Sequence, residues 1–252
     1  MTLSPQDWHQ RFTQQAQWTK DLRAYLYQRV KVTETQSVLE VGCGTGAILN
    51  DFPAQIPIRV GVDIDKTYIY MAIRNNPGAK FIQGDGNSLP YADACFDVVF
   101  CHFLLLWVND PAQILREMIR VTRPGGAVMA LAEPDYGGRI DYPEELAILG
   151  EWQMQSLRKQ GADPLMGRKL AGLFHETGLQ AVETGLLGGQ WSGTPDWEAW
   201  ESEWAVLESD LIKTFQDSET WKVLKDLDRS AFQRGERVLF VPTFYAWGRL
   251  PR

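Results

Sequence analysis

Val38-Leu39-Glu40-Val41-Gly42-Cys43-Gly44-Thr45-Gly46 constrains this chain more than any other stretch. It is a short apolar run of the strand type, with an acid, Glu40, inside it and three glycines on alternate positions. A buried strand that ends in such a loop brings bare backbone close to a ligand. Glycine lacks the Cβ that would block both the tight turn and the close approach. A short helix from Ala47 to about Phe52 is predicted to follow, with free N–H groups facing whatever binds the loop. A glycine-rich turn also occurs in an ordinary strand–turn–helix and in the dinucleotide fingerprint Gly-x-Gly-x-x-Gly. Here the third glycine falls one residue too early for that fingerprint.

Four further segments follow in order. Ile58-Arg59-Val60-Gly61-Val62-Asp63 reads as a second strand ending in an acid. Asp63 lies about twenty residues past the first glycine, where a carboxylate can accept ribose hydroxyls. Lys80-Phe81-Ile82-Gln83 reads as a third strand and leads into Gly84-Asp85-Gly86. Phe96-Asp97-Val98-Val99-Phe100-Cys101 reads as a fourth. Thr122-Arg123-Pro124-Gly125-Gly126 is a turn that opens a fifth, Ala127 to Ala132. In this order the segments resemble the motifs of the class I S-adenosylmethionine (SAM)-dependent methyltransferases, in particular the ubiquinone–menaquinone C-methyltransferase-like (type 11) group. The resemblance covers Ser37 to Glu133 well and the remainder weakly.

The resemblance implies SAM as cofactor and assigns residues to it. Glu40, Gly42, Cys43, Gly44 and Gly46 correspond to the first motif. Asp63 and Ile64 end strand two, and Asp63 would hold the ribose. Gly84, Asp85, Gly86 and Asn87 would surround adenine, with the Asp85 carboxylate accepting from its amine. Cys101 and His102 end strand four on the cofactor side. Cys43 is expected to be a small, tight-fitting side chain.

Short strands alternate with helical segments, which predicts a doubly wound, mostly parallel α/β sheet with helices on both faces. Lys66 to Asn75 reads as a helix that stops before Pro77. Asp110-Pro111 opens a helix from Ala112 to Val121. Leu165 to Thr177 is helical, and Gln180 to Leu187 is a sixth strand. Arg237 to Gly248 is a seventh, which the resemblance places antiparallel between strands five and six. Pro242 inside it reads as a bulge or a short break.

The chain reads as one SAM-dependent domain with a core over 37–133. Three segments stand outside the minimal seven-stranded sheet: an N-terminal helical segment within 1–30, and insertions at 143–165 and 194–235. The last is predicted to start at Thr194-Pro195 and carries Trp197, Trp200, Trp204, Leu207, Leu211 and Phe215 at helical spacing. All three can reach the carboxyl edge of the sheet, where open α/β sheets bind ligands. They read as a lid over the substrate. The aromatic stripes chiefly pack that lid, and a few rings are left to face a sulfonium or an aromatic substrate.

Composition narrows the partners. The net charge is −7, which disfavours nucleic acid because a polyanion needs a basic face. The basic clusters at Arg116, Arg120 and Arg123, and at Arg158, Lys159, Arg168 and Lys169, read as solvated helix faces. The three cysteines, Cys43, Cys95 and Cys101, have no metal-ligand spacing, which points to reduced thiols in a cytoplasm and to no bound metal. No apolar run reaches the length of a membrane span.

The expected reaction is methyl transfer to a small apolar or aromatic acceptor, driven by proximity and orientation. A hydroxyl or acidic carbon acceptor would also need a base. His102 and Tyr136 are the foremost candidates, with Glu133 and Asp135 beside them. A nicotinamide oxidoreductase and a non-catalytic SAM-binding protein are the alternatives.

Overall fold

The computed structural model describes residues 4–32, 35, 37–52, 55–186, 188, 196–212 and 218–252. Two helices come first, α1 (Pro5–Trp18) and α2 (Lys20–Val30). Ser4 caps α1 reciprocally with Asp7, which satisfies two otherwise orphaned N–H groups. The break between the helices is at Thr19, whose φ and ψ are −105° and 10°.

The sheet then begins with β1 (Ser37–Val41) and β2 (Ile58–Asp63), followed by α3 (Lys66–Asn75) and β3 (Lys80–Gln83). Asp65 caps α3 by accepting from Thr67 and Tyr68. Next come β4 (Phe96–Cys101), α4 (Pro111–Val121) and β5 (Thr122–Pro134). A short β6 (Ile140–Tyr142), α5 (Ala147–Lys159), α6 (Met166–His175) and β7 (Gln180–Leu186) follow. The described chain ends with α7 (Trp197–Leu211), α8 (Ser218–Gln233), β8 (Val238–Phe240) and β9 (Thr243–Arg249).

Seven strands form the main sheet in the order β3-β2-β1-β4-β5-β9-β7. Strand β9 runs antiparallel to both of its neighbours, and the other pairs are parallel. This is the doubly wound, mostly parallel sheet expected from the sequence. Its two faces are buried in alternation, as a pleat with period two requires. Leu39, Val99 and Cys101 pack on one side with Ile114 of α4 and Leu170 of α6. Val38, Val98 and Phe100 pack on the other with Leu26 of α2 and Ile69 of α3. A third cluster lies among the inserted helices and joins Leu146, Leu149, Trp200, Trp204, Leu207, Leu211 and Leu224.

Four expectations are corrected. The stretch from Ala47 to Phe52 holds only a 3-10 turn at Leu49–Asp51. Six residues ending before Pro53 are too few, and the residue before proline is biased out of the helical region. The seventh strand breaks at Pro242, as expected of a residue with no N–H to donate, but its first part leaves the main sheet. Strand β9 stays in the sheet, whereas β8 pairs with β6 in a separate two-stranded sheet. The fifth strand is longer than expected, with a register shift before Glu133. Helix α7 is capped by Asp196, whose side chain accepts from the Ala199 N–H. The expected start at Thr194-Pro195, the end of the sixth strand at Leu187 and the stripe member Phe215 lie outside the described residues.

Candidate active site

The carboxyl ends of β1 to β5 point to one edge, and two adjoining cavities open there. The first has a volume of about 680 Å³ and is lined by the loops after those strands and by α1. The glycine loop forms its floor. Gly42 and Gly44 have φ of +72° and +50°, values that side chains rarely adopt. A Cβ on Gly42 would stand 2.7 Å from Leu104, and one on Gly44 would stand 3.0 Å from the Phe12 ring. The loop is therefore sealed by α1 above and by the turn after β4 at its side.

Glu40 is buried, and its Oε2 has no hydrogen-bond partner among the described residues. Burial raises its pKa well above the usual carboxylate range. A buried acceptor of this kind costs free energy unless something donates to it. Asp63 accepts the Gly44 N–H at 2.7 Å and the Asp65 N–H at 2.9 Å. Burial raises its pKa more than these N–H groups lower it. Asp85 accepts from the Asn87 backbone and side chain at 2.8 and 2.9 Å, both on Oδ1.

Of the residues predicted to hold the cofactor, Glu40, Gly42, Cys43, Gly44, Asp63, Ile64, Gly84, Asp85, Gly86, Asn87 and His102 line this cavity. Gly46 and Cys101 do not. Gly46 turns its Cα toward Asn76 and Phe81 beneath the loop. Cys101 is fully buried between β4 and the α4 face, because it points away from the loop edge in the strand alternation. Cys43 is a tight fit, as expected: a Cβ on Gly61 would stand 2.8 Å from its Sγ.

His102 follows β4 directly. Its Nε2 and the Thr19 Oγ1 lie 2.8 Å apart. Thr19 in turn accepts from Arg23 Nη1 at 2.6 Å, and Arg23 is held by Asp51. Burial, with the Arg23 charge behind it, pushes the His102 pKa well below 6.5. The imidazole is thus neutral and a weaker proton acceptor than an exposed one.

Glu133 and Asp135 are engaged elsewhere. The Glu133 carboxylate is completely buried and accepts three backbone N–H groups, from Leu104, Leu105 and Leu106, at 3.0, 2.8 and 3.2 Å. It shapes the turn that packs against Gly42. Asp135 binds Arg168 through both oxygens at 2.5 and 2.7 Å. Tyr136 stands at the boundary of the two cavities. Burial pushes its phenol up to about 12, so it is a hydrogen-bond donor at neutral pH.

The residues that sequence reasoning missed are mostly on α1. Trp8 and Phe12 lie 5.6 Å apart, centroid to centroid, and Phe12 meets Tyr68 of α3 edge-on at 5.4 Å. All three line the cavity, with Arg11 and Gln15 beside them. His9 Nδ1 lies 2.7 Å from the Thr45 hydroxyl of the glycine loop. The helical spacing of the aromatics was the available signal, but it does not say which surface a helix covers.

The second cavity, of about 710 Å³, lies between the sheet edge and the inserted helices. Among the described residues no group of three or more histidine, cysteine or acidic side chains could hold a metal ion. Among the described residues no helix is long and apolar enough to cross a membrane.

A glycine loop after β1, an acid at the end of β2 and an antiparallel β9 inside a doubly wound sheet define a Rossmann-like fold suited to a nucleoside-bearing cofactor. Residues 39–130 match the family of the methyltransferase domain. Demethylmenaquinone methyltransferase of Renibacterium salmoninarum is 35% identical over 131 residues, 51% of this chain and 55% of the relative. The matched region thus spans little more than half of that relative's length. Among solved structures, the YcgJ protein of Bacillus subtilis superposes with a TM-score of 0.58 at 20% identity, covering 91% of this chain and 99% of that one. Phosphoethanolamine N-methyltransferase 2 of Haemonchus contortus, solved with S-adenosyl-L-methionine, gives a TM-score of 0.55 at 15% identity, covering 86% of this chain and 49% of that one. The residues of the first cavity fit SAM. The orphaned Glu40 oxygen offers an acceptor, and the Gly42–Gly44 backbone leaves a bare wall.

Proposed function

We propose that this protein transfers the methyl group of SAM to a small-molecule acceptor. The observation that carries this reading is the pairing of a cofactor cavity, built from the five strand ends, with a second cavity of similar size at its mouth. When bound, SAM supplies an activated methyl group. The chain's own residues bind, orient and exclude water.

In this reading the Glu40 carboxylate takes hydrogen bonds from the cofactor's polar end or ribose. Asp63 presents its remaining lone pairs to the ribose hydroxyls while holding the loop. Asp85, whose second oxygen takes no donor among the described residues, reads the adenine amine beside Ile64 and Asn87. Trp8, Phe12 and Tyr68 close the mouth. The α1–α2 segment and the helices α5, α7 and α8 form the lid of a single catalytic domain. His102, tied to Thr19, orients groups at the methyl and contributes little as a base. Positioning carries the rate.

The net charge of −7 supports a small acceptor over a nucleic acid, and the thiol pattern supports a cytoplasmic site of action. The test is calorimetric titration of the full chain with SAM, S-adenosylhomocysteine and NADH, followed by a mass-shift screen of small acceptors. Binding of the first two, and a gain of one methyl group on an acceptor, are expected. Binding of NADH without SAM would overturn the reading. Salt-sensitive methylation of tRNA or DNA would overturn the acceptor class.

A further inference from the structure

The two cavities share four lining residues: Gln15, Phe103, Pro134 and Tyr136. These residues ring the boundary between the cavities, where a molecule in the second would meet a methyl group held in the first. Phe103 sits at φ +50°, a conformation that a bulky side chain holds only when its surroundings impose it. Its N–H donates to the Ala132 carbonyl at 2.9 Å, and its ring meets His102 edge-on at 4.6 Å. Pro134 closes β5. Two sides of the ring are therefore rigid and apolar. The other two are polar. Neither the Gln15 side-chain amide nor the Tyr136 hydroxyl bonds to another described residue.

Beyond the ring, both cations that line the second cavity are matched within the protein. Arg139 binds Asp141 at 2.6 Å, with both side chains under a tenth exposed, and donates to Gln153 at 2.6 Å. Arg237 donates to Asp228 at 2.7 Å and faces Glu203 at 2.8 Å. The second Asp228 oxygen takes the indole N–H groups of Trp200 and Trp204, each at 2.6 Å. Glu203 and the exposed Asp21 are the surplus carboxylates, and burial raises the pKa of Glu203, which moves it toward the uncharged form. Both cations are thus committed, so an entering carboxylate or phosphate would lose its water with no free partner. Trp18, Leu149, Trp204 and Phe240 offer ring-sized apolar walls.

We propose that the methyl acceptor occupies this second cavity as an uncharged, ring-bearing molecule, and that Gln15 and Tyr136 are positioning residues that hydrogen-bond its reacting group at the ring between the cavities. This rests on the reading of the first cavity as the SAM site. The specificity is double. Matched ion pairs reject anions, and the two neutral hydrogen-bonding groups select a polar substituent at one end of an apolar frame.

The experiment uses the full chain saturated with S-adenosylhomocysteine and three probes of one shape: 2-naphthol, naphthalene and 2-naphthoate. Calorimetry should show 2-naphthol binding and 2-naphthoate weaker by about a hundred-fold or more, the effect of burying an unpaired charge. Gln15→Leu and Tyr136→Phe should each weaken 2-naphthol by roughly two- to ten-fold, one neutral hydrogen bond. In both variants the preference for 2-naphthol over naphthalene should fall toward one, which a merely structural change would not produce. S-adenosylhomocysteine should bind the variants as it binds the unaltered chain. Leu149→Trp, which fills the cavity, should abolish 2-naphthol binding. Equal affinity for 2-naphthoate, an unchanged naphthol preference in both variants, retained naphthol binding in a folded Leu149→Trp protein, or no naphthol binding at all would each overturn the proposal. Failure of S-adenosylhomocysteine to bind the unaltered chain would instead bring down the cofactor reading on which it rests.

Discussion

Asp63 carries two duties on one carboxylate. Its oxygens hold the Gly44 and Asp65 N–H groups, and their remaining lone pairs face the cofactor cavity. Asp63→Ala therefore removes charge-assisted bonds to a ligand, worth about 1.5–3 kcal/mol each, and also releases the loop. Titration with S-adenosylhomocysteine should show binding weaker by roughly ten- to a hundred-fold per ligand bond lost, and an unchanged dissociation constant would assign the role elsewhere. Asp63→Asn keeps one acceptor oxygen and should fall between the two. Glu133 gives a pH signature. Burial raises its folded pKa to about 7 from 4.5, so the folded state binds this proton more tightly than the unfolded chain does. The stability it contributes is full below about pH 4.5 and is lost as pH rises toward 7, on the order of 3 kcal/mol in all. Urea unfolding at pH 5 and pH 8 should show a larger loss in the natural chain than in Glu133→Gln, which keeps the contributions of Glu40 and Asp63. The variant should also be weaker at pH 5, since an amide turns N–H toward the three backbone donors. The same pH dependence in both proteins would remove Glu133 from the account.

At the scale of elements, the inserted helices stand on one buried carboxylate. Asp228 of α8 accepts from Trp200 and Trp204 of α7 and from Arg237 before β8. Removing it leaves a buried guanidinium and two indole N–H groups short of partners. Asp228→Ala should cost about 3–5 kcal/mol and lower the melting temperature by roughly 6–20 °C if the chain unfolds as one unit. An unchanged melting temperature would mean the lid unfolds separately. The tryptophan stripe was legible in the sequence as a packing surface, but it does not reveal what binds the indole nitrogens. Other elements were legible because local chemistry decides them. Asp65 before α3, Asp110-Pro111 at the head of α4, and the alternating apolar runs of β1 and β4 each mark a boundary or a face. The break at Thr19 was not legible, since neither glycine nor proline marks it, and of the groups that hold its hydroxyl only Arg23 is near in sequence while His102 comes from the end of β4. The cofactor loop was readable from its glycines. That Phe12 and His9 cover it was not, because only packing between residues far apart in sequence brings α1 there.

The whole molecule joins its two cavities through a buried polar run. Arg11 lines the first, lies 3.7 Å from Asp210, and Asp210 accepts from Gln153 at 3.0 Å. Gln153 accepts from Arg139, which with Asp141 lines the second. Helices α1, α5 and α7 are thereby linked across the sheet edge, and Ser202 of α7 donates to Gln14 of α1 at 2.6 Å. The apolar cluster of α5, α7 and α8 is separate from the two that sandwich the sheet, whereas Ala16 of α1 packs with one of those two. Elements with a core of their own open sub-globally more easily than the strands beneath. A ligand that binds only the closed arrangement draws that equilibrium toward closure by its differential affinity. Hydrogen exchange should therefore show β1, β4 and β5 protected with or without S-adenosylhomocysteine. Saturating S-adenosylhomocysteine should slow exchange in α1, which touches the glycine loop through Phe12 and His9, and to a smaller degree in α7. Asp210→Asn should keep the first effect and lose the second, because it weakens the link rather than the cofactor cavity. Exchange in α1 that ignores the ligand would show that this helix is a fixed wall, and equal slowing of α7 in both proteins would show that the link runs through another path.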